Sequence, residues 1–224
     1  MVKSVFQKQM SRYGRDYQID DAIPNSFFRR ILRQRFFMLW RGMLFYGKKV
    51  FLGRGVRLLN KKNIHLGRSA SIGSYTLIDG YAKNKVQIGE NSKIGPYSEV
   101  RCTSHFSKYG TGFSLGSNSG IGKFAFFGAA GGITIGDNVI MGEYVSFHSE
   151  NHNFSDTSRL IKEQGVTSKG ITLGNDIWVG AKVTFLDGAQ VGNHCVVAAG
   201  AVVRGTFPDN VVIGGVPAKV IKEL

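Results

Sequence analysis

The chain has 224 residues, with 29 Lys/Arg against 15 Asp/Glu, 30 Gly, 4 Pro and 2 Cys. That length can bury a sizeable core in one or two domains. So many Gly with so few Pro, and no three-residue period, point to many turns rather than to collagen or disorder. No apolar run approaches the ~18 residues that a bilayer span needs.

The charge is concentrated at one end. Residues 1–62 hold 15 Lys/Arg and only Asp16, Asp20 and Asp21, a net of +12, whereas the remainder nets +2. The first residues lack the apolar stretch and small-residue cleavage site of a signal peptide. Pro24 predicts a helix opening at about residue 25. Phe27, Phe28, Ile31, Leu32, Phe36 and Leu39 fall near a helical stripe, with Arg29, Arg30, Arg33 and Arg35 among them. Two readings follow: a helix that packs its apolar side on the domain behind it and solvates its arginines, or a peripheral contact with an anionic membrane. Nucleic acid is not expected as a partner, because a basic segment without a reading module is weak grounds for it.

Beyond this segment an aliphatic residue followed by a small one recurs every six residues. Leu66, Ile72 and Ile78 form one triplet; Ile88, Ile94 and Val100 a second; Leu115, Ile121 and Phe127 a third; Ile135, Met141 and Phe147 a fourth. The run Leu173, Val179, Phe185, Val191, Val197 and Val203 continues the pattern without a slip. Between triplets the spacing is 10, 15, 8, 26 and 6 residues, and within them it is 6. This predicts a three-sided coil whose lead residues point inward and whose insertions all leave from one edge, where a repeat protein usually carries its binding residues. The small residue after each lead is expected to let the backbone turn sharply. Cys102 and Cys195 have no metal spacing and read as buried, reduced thiols of a cytosolic protein.

The longest insertion runs from about His148 to Gly170. His148 follows a lead residue directly and belongs to the corner, while His152 lies out on the loop beside Glu150, Asn151 and Asp156. A neutral imidazole can take a proton from a hydroxyl at neutral pH, and a nearby carboxylate fixes its tautomer. Glu150 and Asp156 are the local candidates for that role, with Glu143 a further one. A zinc site is not expected: His148 and His152 are four apart, but no Cys joins them and the spacing works only on a helix.

In order along the chain stand ITIGDNVIMG, the NHNFSD loop, IWVGAKV, VVAAGAVV and GGVPAKVI. This ordered set over residues 133–222, with a looser match from about 64, resembles the hexapeptide-repeat acyltransferases. Within them it is most similar to the sugar O-acetyltransferases, which include the galactoside and maltose acetyltransferases and the lipopolysaccharide and capsule modifiers. The resemblance implies an all-β, left-handed parallel β-helix, an exception to the usual right-handed crossover. It implies a homotrimer with acetyl-CoA in the groove between neighbouring coils, and no metal. The expected layout is a basic, partly helical segment over 1–62, the β-helix over 63–207 and a short tail over 208–224 that covers the cofactor groove.

Carried over residue by residue, His152 matches the family's catalytic base, and Trp178 the tryptophan near its site. Ala181 and Ala199 match positions whose backbone meets the pantetheine arm, and Lys219 and Lys222 those that meet the nucleotide end. After VV the relatives usually show Thr-Lys; here Arg204 and Gly205 stand there, and Arg204 is expected to reach a phosphate or the adenine edge. The galactoside branch has an Asn and an Asp before its equivalent of ITIG, whereas this chain reads FAFFGAAGG, with Phe124 and Ala129 or Ala130 near those places. That departure, and the lack of that branch's helical cap, turn the expectation from a small galactoside toward a surface polysaccharide or its precursor. The expected reaction is direct acetyl transfer to a sugar hydroxyl, since no Ser or Cys sits in a nucleophile arrangement. A backbone N–H near Gly142 or Trp178 is the candidate oxyanion donor. The alternatives are N-acetylation of an amino sugar, or a non-catalytic scaffold in glycan assembly. The expected location is the cytoplasm, at or near the inner face of the membrane.

Overall fold

The computed structural model describes residues 3, 7, 18–106 and 108–224. Its body is a triangular prism built from three stacks of nine, seven and seven strands, all parallel except the last strand of the nine. Each coil of chain contributes one strand to each face in the same order. Face A carries Phe51–Leu52, Ser71–Ile72, Lys93–Ile94, Gly120–Ile121, Ile140–Met141, Ile177–Val179 and Cys195–Val197. Face B runs from Arg57–Leu59 to Val202–Val203, and face C from Ile64–Leu66 to Thr206–Phe207. This strand-rich architecture is consistent with the left-handed β-helix.

The period of six is visible in the register. Ile88 pairs with Leu115, Ile121 with Met141, and Phe127 with Phe147, lead residue upon lead residue. All of these are buried. Phe127, Phe147 and Phe185 stack through the centre of face B with ring centroids 4.9 and 4.4 Å apart. Phe113 tilts onto Phe127 at 4.9 Å. Such ring pairs add to the area term that dominates burial of a Phe.

The small residue after each lead has a different reason from the one expected. A Cβ at Gly89 would meet the carbonyl carbon of Gly116 in the next coil at 2.4 Å, and one at Gly122 the oxygen of Gly142 at 2.4 Å. The glycines are therefore demanded by the close approach of successive coils. The left-handed backbone that turns the corner sits two residues later, on Asn91, Tyr97, Asn138, Tyr144, Asp176 and His194 among others. Asn and Asp tolerate that conformation best, and several of these positions use them.

Every long insertion leaves between faces B and C, at residues 80–85, 102–112, 129–132 and 149–170. The other two edges keep hexad spacing and are laced from coil to coil. At the C-to-A edge the amide of Ser117 donates to Asp137 Oδ1, that of Asp137 to Asn175 Oδ1, that of Asn175 to Asn193 Oδ1 and that of Asn193 to Asp209 Oδ1, at 2.6 to 2.8 Å.

The border expected at residues 62 and 63 falls inside the prism. Phe51 and Leu52 already pair with Ser71 and Ile72, so the coil begins about one turn earlier. The tail is also part of it: Val211–Gly215 pairs in parallel with Cys195–Val197, and Ala218–Glu223 then folds back antiparallel along it. Helix α1 (Asn25–Tyr46) starts after Pro24 as expected and ends at Gly47, whose φ of 72° and N–H to Met43 O form a left-handed cap. It lies at the first strand of face A.

Both cysteines are buried and unbridged. Burial, with the Asp79 carboxylate adding to it, pushes the Cys102 thiol up to about 12. A group held protonated this way contributes stability at neutral pH that is lost as pH rises toward the folded value. Cys102 should therefore resist alkylation by iodoacetamide at pH 8 in the native protein and react fully once the chain is unfolded in guanidinium. Replacing Phe147 with Ala should cost about 3–5 kcal/mol in denaturant unfolding, because it opens the ring stack on both sides.

Candidate active site

The insertion between faces B and C in the fifth coil is tied down at both ends. Ser149, fully buried, donates to Gly128 O at 2.7 Å and accepts the Gly131 amide at 2.9 Å. At the other end the amides of Lys169 and Gly170 donate to the Asp187 carboxylate at 2.8 to 3.0 Å. Between these anchors Asn151–His152 pairs antiparallel with Val166–Thr167, His152 opposite Val166. Asn153 holds the loop end of this hairpin, donating to Gln164 O at 3.0 Å. His152 is thus presented by a short ribbon rather than a slack loop. Its ring is exposed, and among the described residues it has no hydrogen-bond partner.

The carboxylates expected to orient it are engaged elsewhere. Glu150 accepts from Ser104 Oγ at 3.0 Å, which joins this insertion to the one two coils earlier. Lys108 and Ser168 make a second link between the same two insertions. Asp156 accepts from the hydroxyl and amide of Ser158, which hold its carboxyl below the usual range. Glu143 stands at the edge between faces A and B, 3.5 Å from Lys123 Nζ. Within one chain none of the three reaches His152. His148 sits at the outer end of its strand, 2.6 Å from Ser146 Oγ. The Gly142 amide, proposed as an oxyanion donor, is already committed to Val179 O at 2.8 Å.

The residues matched to the cofactor lie mostly on the opposite side. Trp178 projects from the centre of face A, 58% exposed, between its strand partners Ile140 and Val196. Ala181 and Ala199 are exposed at the edge between A and B, joined by the bond from the Gly200 amide to Ala181 O at 2.9 Å. Lys219 and Lys222 are exposed on the antiparallel strand that closes face A. Arg204 and Gly205 instead occupy the edge between B and C, the His152 edge. The structure therefore divides the candidate residues between one edge of the prism and the face opposite it.

A groove of about 670 Å³ also lies on face C, lined by Lys48, Lys49, His65, Arg68, Glu90 and Ser117. Its lining comes from the link after helix α1 and from the face C strands and corners of the first three coils, so the sequence carried no single pattern for it. Among the described residues no cluster of three or more His, Cys, Asp or Glu is placed to hold a metal ion.

The family described as bacterial transferase hexapeptide (six repeats) matches residues 170–205. The galactoside O-acetyltransferase of Escherichia coli is 36% identical over 118 residues, half of this chain and 57% of the relative. A hexapeptide-repeat acetyltransferase of Vibrio cholerae, solved with acetyl coenzyme A, is 26% identical with a TM-score of 0.54, covering 61% of this chain and 70% of that one. AntD, an N-acyltransferase of Bacillus cereus solved with dTDP and coenzyme A, shares the fold at 19% identity with a TM-score of 0.60, over 71% of this chain and 83% of that one. The chain spans about half the length of the curated relatives it matches. The six-residue period and the three-faced prism extend the matched hexapeptide repeats along the chain, which over about half its length is similar to the sugar O-acetyltransferases.

Proposed function

We propose that the protein transfers an acetyl group from acetyl-CoA to a sugar, with His152 as general base. The observation that carries this reading is the presentation of His152: an exposed imidazole on a braced hairpin, placed where the NHNFSD segment resembles the family's catalytic loop. His152 takes the proton from the acceptor as its oxygen attacks the thioester carbonyl, the C–O bond forms, and CoA leaves as the thiolate that recovers a proton. Asn151, Glu150 and Asp156 shape the hairpin around that imidazole. Trp178, Ala181 and Ala199 form a wall for the pantetheine arm, and Lys219, Lys222 and Arg204 supply cations for the phosphates. Acetyl-CoA is a cytoplasmic metabolite, which supports a cytoplasmic location.

The division of these residues between one edge and the opposite face supports a homotrimer. In that arrangement the hairpin of one copy meets face A of its neighbour, and each site draws on two chains. Glu143, remote from His152 in its own chain, then belongs to the neighbour's side of the site. A surface polysaccharide or its precursor is the acceptor we favour, because Phe124 is packed into an aromatic stack with Tyr97 and Tyr144, and Ala129 and Ala130 are buried. None of these offers the polar groups that a galactoside site requires. Amino-sugar N-acetylation is the second reading, because the same exposed imidazole can deprotonate an amine and the same prism carries amine acylation in AntD. Mass analysis of product from paired hydroxyl and amine acceptors separates the two.

Calorimetry should show saturable acetyl-CoA binding by the wild type, weakened about tenfold or more in Lys219→Glu/Lys222→Glu. No binding by the folded protein would favour a scaffold in glycan assembly. His152→Ala should lower turnover by about a hundredfold or more with acetyl-CoA affinity nearly intact. Co-refolding His152→Ala with Lys219→Glu/Lys222→Glu should restore part of the activity that each lacks alone, because some mixed sites receive both intact halves. Failure to complement would place the whole site within one chain.

A further inference from the structure

Helix α1 shows the prism its narrower side. Phe28, Met38 and Gly42 are buried, Ile31 and Leu39 half-buried, and the arginine at 41 donates from Nε to Leu52 O at 2.8 Å. Gly42 lies so close to Val50 that a Cβ would meet its carbonyl at 1.9 Å, which locks the rotation of the helix about its axis. The opposite side therefore has a defined content. It presents Phe36, Phe37, Trp40, Met43 and Leu44, which are 64%, 48%, 54%, 54% and 59% exposed. Their spacing of one, four, seven and eight residues gathers them on one side of the helix. One to two turns before them on the same side stand Arg29, Arg30 and Arg33, all exposed. A group of five large apolar side chains facing water on one helix marks an interaction surface.

We propose that α1 is an interfacial helix that lies flat on an anionic lipid bilayer, its aromatic half in the headgroup and acyl boundary and its arginines on the phosphates. Charge selects this occupant. The helix has five Arg and no Asp or Glu, and it sits in a segment with a net charge of +12. A second copy docked face to face would oppose arginine to arginine with no acid on either helix to relieve it, whereas an anionic surface meets Arg29, Arg30 and Arg33 at once, Arg35 and Arg41 being turned to Phe51 and Leu52 of the prism. Trp and Phe suit the apolar face of a helix at that boundary. Among the described residues no helix is long and apolar enough to cross a membrane, and the arginines keep α1 at the surface. This inference is independent of the acetyl-transfer reading, because it uses no residue of that site.

The test is flotation of the full chain with vesicles of phosphatidylcholine alone or mixed with phosphatidylglycerol. The protein should float with the mixed vesicles, stay below with phosphatidylcholine alone, and be released as salt is raised. Phe36→Glu/Trp40→Glu, at exposed positions and checked for fold by circular dichroism, should lower the partition coefficient about tenfold or more. Arg29→Glu/Arg33→Glu should do likewise with the aromatic side intact. Wild type that fails to float, or floats equally with both vesicle types, overturns the proposal without reference to any variant. A wild type that stays below while Phe36→Glu/Trp40→Glu changes oligomeric state in sedimentation also overturns it and assigns the face to a contact between copies.

Discussion

Successive coils approach so closely at the corners that the residue after a lead position often has no room for a Cβ. Gly89 against Gly116 and Gly122 against Gly142 are two rungs of that contact. Because the coils cannot separate there, backbone hydrogen bonds run unbroken along the two continuous edges, as from the Gly89 amide to Leu115 O at 2.7 Å and the Gly142 amide to Val179 O at 2.8 Å. Lead residues must then stack on lead residues, and the core becomes a column rather than a mosaic. An inserted residue at either of these edges would break the ladder in both directions. Only the edge between B and C, where the ladder is already interrupted, can lengthen.

That single tolerant edge concentrates the variable chain in one place. The insertions do not hang free there. Ser104 with Glu150, and Lys108 with Ser168, bind the third coil's insertion to the fifth coil's. Ser149 and Asp187 fix the ends of the longer one. The imidazole of His152 gains a defined position from these contacts, while Glu150 and Asp156, expected to orient it, build the insertion instead. A rigid face with Trp178 and the paired lysines lies opposite. A site that needs both halves requires two copies of the chain, so the proposed chemistry and the proposed assembly stand together.

Helix α1 follows a separate logic. It is joined to the prism at Val50 and at Leu52 of face A and, through the Tyr46 hydroxyl, at Ile64 and Leu66 of face C, and it leaves more aromatic surface outside than it buries. A stripe of Phe, Ile and Leu in a helix shows that one side is apolar, but not which side meets the protein. The stripe read from the sequence is in fact divided: Phe28 is buried, whereas Phe27, Leu32 and Phe36 are not. The close pass of Gly42 over Val50 decides the rotation, and no periodicity reports a contact made across so short a connection.

The period of six, the inward lead residues and the single edge of insertion were legible in the sequence because each coil repeats the same local demand, so that a strict register survives as spacing. The exposure of His152 was legible for the same reason, since it lies outside that register. The start of the prism at Phe51 was not apparent, although Leu52 and Gly53 carry the same signature, because that single pair lies inside the basic segment, whose charge dominates its reading. Nor were the partners of Glu150, Asp156 and Glu143, or the commitment of the Gly142 amide: these depend on which residues of different coils stand side by side, and coils joined by insertions of unequal length leave no fixed interval to read. The sequence by itself thus determined the repeating cross-section, which is a local property. The tertiary structure alone decided the neighbours along the prism axis, where the distance between residues in space is unrelated to their distance in the chain.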